Sequence, residues 1–130
     1  MNPKENKYTK DHEWIRIEPD GKGKIGLADY AQSHLGDLVY FDLPGIGTQV
    51  EQSKKLGEVE SVKAVADIFA PVSGKVVGVN QVVIDDPPSV NKDCYGESWL
   101  LRIELNNPSE MDNLMDIETY EKYVTESDTK

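Results

Sequence analysis

Leu56-Gly57-Glu58-Val59-Glu60-Ser61-Val62-Lys63-Ala64-Val65-Ala66-Asp67-Ile68-Phe69-Ala70-Pro71-Val72-Ser73-Gly74 is the stretch on which the reading of the fold turns. Residues 56–62 read as a strand, and Lys63 follows at once. From 64 to 70 the side chains alternate, with Ala64, Ala66, Ile68 and Ala70 on one face and Val65, Asp67 and Phe69 on the other. A period of two belongs to a strand and not to a helix. Pro71-Val72-Ser73-Gly74 then turns the chain into a further strand at 75–80. Two strands meeting with no Asn-Gly or Asp-Gly dipeptide between them predict a tight hairpin whose tip is Lys63.

Working outward, Trp14, Ile15 and Ile17 lie in a β-prone run at 13–18, and Pro19-Asp20-Gly21 turns it into a second run at 23–27. Asp29 is placed to cap a short helical turn through Tyr30, Ala31 and His34, with Gly36 ending it. Strands are expected at 38–43 and, briefly, at 48–50. The polar stretch 85–97 contains Pro87-Pro88 and reads as a long surface loop before a strand at 98–105. Asn107, Pro108 and Glu110 resemble a capping box that starts a helix, and a second short helix is expected from Ile117. The pattern predicts one mainly β domain over 1–130, a compact sandwich or barrel with a helical appendage at 108–124 and flexible ends at 1–7 and 125–130.

In 130 residues, 14 Lys and Arg stand against 24 Asp and Glu, a formal net charge of −10 that repels phosphate backbones and anionic membrane surfaces. Neither nucleic acid nor membrane is an expected partner. Cys94 is the only cysteine, so the chain can form no internal disulfide and no Cys-rich zinc site, which fits a reducing compartment. The longest apolar run, 38–41, is far too short to span a bilayer, and residues 1–7 lack the character of a secretory or transit signal. A cytoplasmic protein is expected. Catalytic signatures are missing as well: there is no Gly-rich phosphate loop, no Gly-x-Ser-x-Gly elbow, and His12 and His34 have no cysteine nearby to complete a metal set. No enzyme and no metal site is read here. Lys63 by itself admits two readings, a solvated turn lysine or a lysine held out on a bare tip for covalent attachment of a prosthetic group.

A resemblance bears on that choice. Gly57-Glu58-Val59-Glu60-Ser61-Val62-Lys63-Ala64, then Asp67, Ala70-Pro71-Val72-Ser73-Gly74-Lys75-Val76 and Val79-Asn80, resembles the lipoyl-lysine segment of the glycine cleavage system H proteins. His12-Glu13-Trp14, Tyr30-Ala31-Gln32, Leu35-Gly36-Asp37, Leu43-Pro44 and Tyr95-Gly96-Glu97-Ser98-Trp99-Leu100 follow in the order and spacing of that family, so the resemblance covers roughly residues 8 to 125. It implies a barrel-sandwich hybrid of the biotinyl/lipoyl-carrier type. It also implies a carrier with no bond-breaking residue of its own. The implied lipoyl arm accepts the aminomethyl group of glycine from a pyridoxal-phosphate glycine decarboxylase and delivers it to an aminomethyltransferase. Dihydrolipoamide dehydrogenase then reoxidises the arm.

Carried over residue by residue, the resemblance makes Lys63 the site of covalent lipoate. Glu60 and Gly74 match positions used for recognition by the lipoylating enzyme, and Glu13, Asp67 and His34 match residues lining the cleft for the loaded arm. Gly74→Val is expected to hurt lipoylation more than folding if Gly74 adopts backbone angles closed to a β-branched residue. Three positions depart from the family: Asp11 stands where relatives often have serine, Cys94 where many have proline, and Ser98 where glycine is usual. A monomer is expected. A related function stays open, that of an H-like protein acting mainly as lipoyl donor to other enzymes. Biotin carriage is disfavoured by Val62 and Ala64, where biotinyl lysines have methionines.

Overall fold

The computed structural model describes residues 3–128 and arranges the strands in two antiparallel sheets. The larger runs, in spatial order, β1 (Lys7–Tyr8), β2 (Glu13–Ile17), β3 (Gly23–Leu27), β9 (Leu101–Leu105), β8 (Gly74–Val79) and β5 (Gln49–Val50). The smaller has β6 (Lys55–Ser61) between β4 (Leu38–Asp42) and β7 (Val65–Phe69). Pairing sets Ile15 opposite Ile25 and Ile25 opposite Leu101, so one face of the larger sheet presents branched side chains to the smaller. Phe41, Val59 and Ile68 answer from the other side, all buried with Val76 and Ile103 in one core. Each such side chain contributes roughly 1.5–3 kcal/mol through burial. The alternation read at 64–70 holds in part: Ile68 and Ala70 are buried while Val65 and Asp67 are exposed, but Ala64 is exposed in the turn before β7 and Phe69 is half-buried.

A second, aromatic cluster closes the other side of β2. Tyr8, Trp14, Ala28 and Tyr120 are fully buried, and Tyr120 stacks on Tyr8 with centroids 4.4 Å apart and planes within 8°. Tyr120 belongs to α4 (Ile117–Asp128), which it pins to the sheet. The other α-helices of the described residues are α1 (Asp29–Leu35), α2 (Gln81–Asp85) and α3 (Ser89–Asp93). Among the described residues no helix is long and apolar enough to cross a membrane.

Several local expectations are corrected. The stretch 85–97 is not one long loop: α2 ends at its first residue, and α3 stands between turns at 86–88 and 94–97. The Asn80 side chain caps α2 by accepting the Val82 N–H at 3.1 Å, and Pro88 stands at the start of α3, where a proline gives up no hydrogen bond the helix needs. Val83, Val90 and Cys94 are buried and draw both helices onto the core. Asp29 does not cap α1: Ala28 holds that position with no side-chain cap, and the Asp29 N–H donates to Tyr95 Oη at 2.9 Å. Asn107 does cap a 3-10 helix, Pro108–Asn113, but Glu110 reaches elsewhere, accepting the Ser73 N–H at 2.8 Å and its hydroxyl at 2.9 Å. Residues 1, 2, 129 and 130 of the expected flexible ends lie outside the described residues. Asn6 is buried, and α4 runs past 124 to Asp128 because Tyr123 and Val124 pack on the aromatic cluster.

Candidate functional site

The hairpin between β6 and β7 is closed by a serine. The Ser61 hydroxyl accepts the Ala64 N–H at 3.1 Å and the Lys63 N–H at 3.3 Å, and the Ser61 N–H donates to the Ala64 carbonyl at 2.8 Å. A side-chain oxygen that takes backbone donors two and three residues ahead replaces the glycine-based turn chemistry missing from the sequence. The sequence signal for this role of Ser61 is a serine two residues before Lys63, a side chain able to take backbone donors just ahead of it. The outcome is a four-residue turn with Lys63 exposed at its tip. Beneath it lies Gly36, the residue that ends α1, at φ 81°. A Cβ there would sit 3.8 Å from Lys63 Cε, so the lysine stem runs across a bare patch of backbone.

From the tip, the outer face of the small sheet leads away in cross-strand rows. Glu60, half-buried, lies between Tyr40 and Val65, both exposed. One row further, Asp67 stands opposite Glu58, and both carboxylates hold Lys55, at 3.3 Å and 2.5 Å respectively. Asp67 is therefore an exposed, paired carboxylate on the strand that departs from Lys63.

Glu13 behaves differently. At 1% exposure it is as buried as a core residue. One carboxylate oxygen accepts the Thr9 hydroxyl at 2.5 Å and the other the Phe69 N–H at 3.1 Å, which ties β2 of the larger sheet to the end of β7 in the smaller. Burial pushes its pKa from 4.5 up to about 7, against the pull of the Thr9 and Phe69 donors and with a further push from Asp11. Glu13 lines a cleft of about 430 Å³ whose walls include Asp11, Gln52, Phe69, Pro71 and Tyr123. A carboxylate at the border of ionisation in a cleft is a place for a cation, since a positive ligand recovers the energy that burial withholds from the anion.

The same shift has a stability consequence. Between pH 4.5 and about 7 the folded chain keeps a proton on Glu13 that the unfolded chain has lost, so this group's contribution falls as pH rises through that window, by about 3 kcal/mol in all. Glu13→Gln removes the titration and retains an acceptor. The difference in urea-unfolding stability between variant and parent is expected to grow in the variant's favour from pH 5 to pH 8; a constant difference would show that Glu13 does not titrate in this range.

Of the other sequence-derived candidates, His34 is exposed near the end of α1, its Nδ1 donating to the Tyr30 carbonyl at 3.0 Å and its ring stacked on Tyr30 at 4.0 Å. Only Glu13 of the three arm-cleft candidates lines the cleft; Asp67 lies along β7 between it and the tip, and His34 stands on the helix that leads to Gly36. Gly74 is required by close approach and not by backbone angle. Its φ is not positive, but a Cβ there would fall within 2.2 Å of the Glu104 carbonyl oxygen on β9. Asp11 borders the cleft beside Glu13. Cys94 is buried, its thiol pushed up to about 12 by burial, and its carbonyl accepts the Trp14 indole N–H at 3.1 Å, so it stands in the packing of the core and not in the cleft.

A family model described as "Glycine cleavage H-protein" matches residues 6–127. A glycine cleavage system H protein of Carboxydothermus hydrogenoformans is 49% identical over 125 residues, covering 95% of each chain. One from a Thermoanaerobacter species is 50% identical over 119 residues, 92% of this chain and 93% of its own. The crystal structure of a glycine cleavage system H protein from Mycobacterium marinum superposes with a TM-score of 0.86 at 37% identity, covering 97% of this chain and 98% of that one. The mainly β barrel-sandwich hybrid with short helices is the shared fold.

Proposed function

Because the chain belongs to the glycine cleavage H-protein family, whose members are lipoate-bearing carriers and not catalysts, we propose that Lys63 is its lipoylated residue. The observation that carries this reading is the hairpin tip: a primary amine, exposed, on a turn locked by Ser61 and free of bulk beneath. When bound, the lipoyl dithiolane supplies the disulfide that takes up the aminomethyl carbon of glycine. The chain's own residues present, shelter and release that cargo. The whole domain, 1–130, acts as one carrier in the cytoplasm, as a monomer, visiting glycine decarboxylase, the aminomethyltransferase and dihydrolipoamide dehydrogenase in turn. Tethering gives each visit a high effective concentration of cargo.

Glu60, outward on β6 three residues before the lysine, is read directly by the lipoylating enzyme; Gly74 acts through the turn and strand it permits. His34 flanks the root of the arm, Asp67 marks its path along β7, and Glu13 receives the cargo's ammonium in the cleft. A loaded arm seated there is protected from water. An ammonium hydrogen-bonded to a shielded carboxylate gains on the order of 1–3 kcal/mol, enough to favour docking without trapping the arm.

The test loads the lipoylated protein with glycine and glycine decarboxylase, maps the added mass by peptide digestion, and follows free formaldehyde. The parent is expected to carry the cargo on the Lys63 peptide and release formaldehyde slowly; Glu13→Gln with Asp67→Asn is expected to load normally and release it several-fold faster. Loading on another peptide would overturn the site, and equal release would remove the carboxylates from it. A protein that is lipoylated but never loaded would instead be a lipoyl donor.

A further inference from the structure

The Lys63 turn does not stand on its own hydrogen bonds alone. The Val62 N–H donates to the Asp37 carbonyl at 3.0 Å, and the lysine's Cε passes over Gly36. Both supports belong to residues 36–38, which join α1 to β4. This connection has little regular structure to stiffen it: Gly36 sits at positive φ, and the ladder to β6 shifts register between Leu38 and Tyr40.

Asn91 holds it from outside. Its Nδ2 donates to the Gly36 carbonyl at 2.8 Å and to Gln32 Oε1 at 2.9 Å, while its Oδ1 accepts the Leu38 N–H at 3.0 Å. Those three partners bracket the segment on which the lysine rests. They also require an amide, since two are acceptors and one is a donor, so neither aspartate nor alanine can serve all three. α3 presents that amide from a fixed base because Val90 and Cys94, on either side of Asn91 in sequence, are both buried in the core.

We propose that Asn91 is the positioning residue of the lipoyl-lysine hairpin, fixing residues 36–38 so that Lys63 meets the lipoylating enzyme already presented. The proposal rests on the reading of Lys63 as the attachment site. An ordered floor spares the enzyme the entropy of ordering the hairpin at the moment of docking, and this gain belongs to KM more than to kcat.

Asn91→Ala, Asn91→Asp and, as a core variant that destabilises without touching this segment, Ile25→Val are to be compared with the parent. The readouts are amide hydrogen exchange at Val62 and steady-state transfer from lipoyl-adenylate by the lipoylating enzyme. Asn91→Ala is expected to speed Val62 exchange and lower kcat/KM for lipoylation, each by about tenfold and the latter mainly through KM, with Asn91→Asp no better than halfway back. Ile25→Val is expected to leave both within about twofold. Unchanged Val62 exchange in folded Asn91→Ala and Asn91→Asp, or an equal loss in Ile25→Val, would overturn the proposal. Lipoylation of the parent at another lysine would overturn the reading of Lys63 and with it the role given to Asn91, whereas failure confined to the Asn91 variants leaves Lys63 in place.

Discussion

A chain carrying Lys63→Arg is expected to fold as the parent does and to take up no lipoyl group. Arginine keeps the positive charge, and its stem can lie across Gly36 as the lysine's does. The guanidinium stays protonated and offers no amine to acylate. Because the side chain is exposed at a turn whose hydrogen bonds come from Ser61 and from backbone, stability should move by no more than about 0.5 kcal/mol. Intact mass after incubation with the lipoylating enzyme and its activated lipoate measures the outcome. The parent should gain one lipoyl group and the variant none, with complete loss of glycine-dependent turnover in the reconstituted system. A variant that still gained a lipoyl group would place the site on another lysine, such as Lys54 or Lys75, and the central reading would fall.

Gly74→Val is expected to cost the fold itself. Gly74 pairs with Leu105 on one side and with Val50 on the other, so it sits inside the larger sheet where neither neighbour can withdraw. A Cβ there meets the Glu104 carbonyl oxygen at 2.2 Å and Ile103 Cγ1 at 3.0 Å, and the first of these is backbone. Relief requires β8 and β9 to separate locally, at a cost of about 3 kcal/mol or more, a large part of what a domain of this size has. Urea midpoint and lipoylation rate should fall together. A normal midpoint with lost lipoylation would restore the expectation drawn from the sequence, that Gly74 is a matter of turn shape at the modification site.

The contrast shows what kind of information a sequence displays. The β6–β7 hairpin was legible because its alternation and its burial are the same pattern, with Val59, Ile68 and Ala70 inward and Val65 and Asp67 outward. Lys63 was legible as the hairpin tip for the same local reason. α3 was hidden because Pro87-Pro88 reads as a loop until Val90 and Cys94 are seen to be buried. Glu13 was legible as an acid but not as a buried strut, since Phe69, whose N–H it accepts, comes from the other sheet and only the closed fold brings the two together. Asn91 carried no signal: its three partners lie more than fifty residues away. Local periodicity is written in neighbours, and long-range polar pairing is not.

One arrangement bears on how the chain shields an open edge of its own sheet. β7 is the rim of a three-stranded sheet, and the open backbone of a rim strand is a template on which another molecule's strand can add. Here the vulnerable end is stopped from within. The Phe69 N–H, which could have received a foreign carbonyl, is occupied by the Glu13 carboxylate, and the Asp67 carboxylate on the same strand makes the flank charged. With the Phe69 N–H taken and a charge beside it, this end of β7 disfavours the addition of a foreign strand.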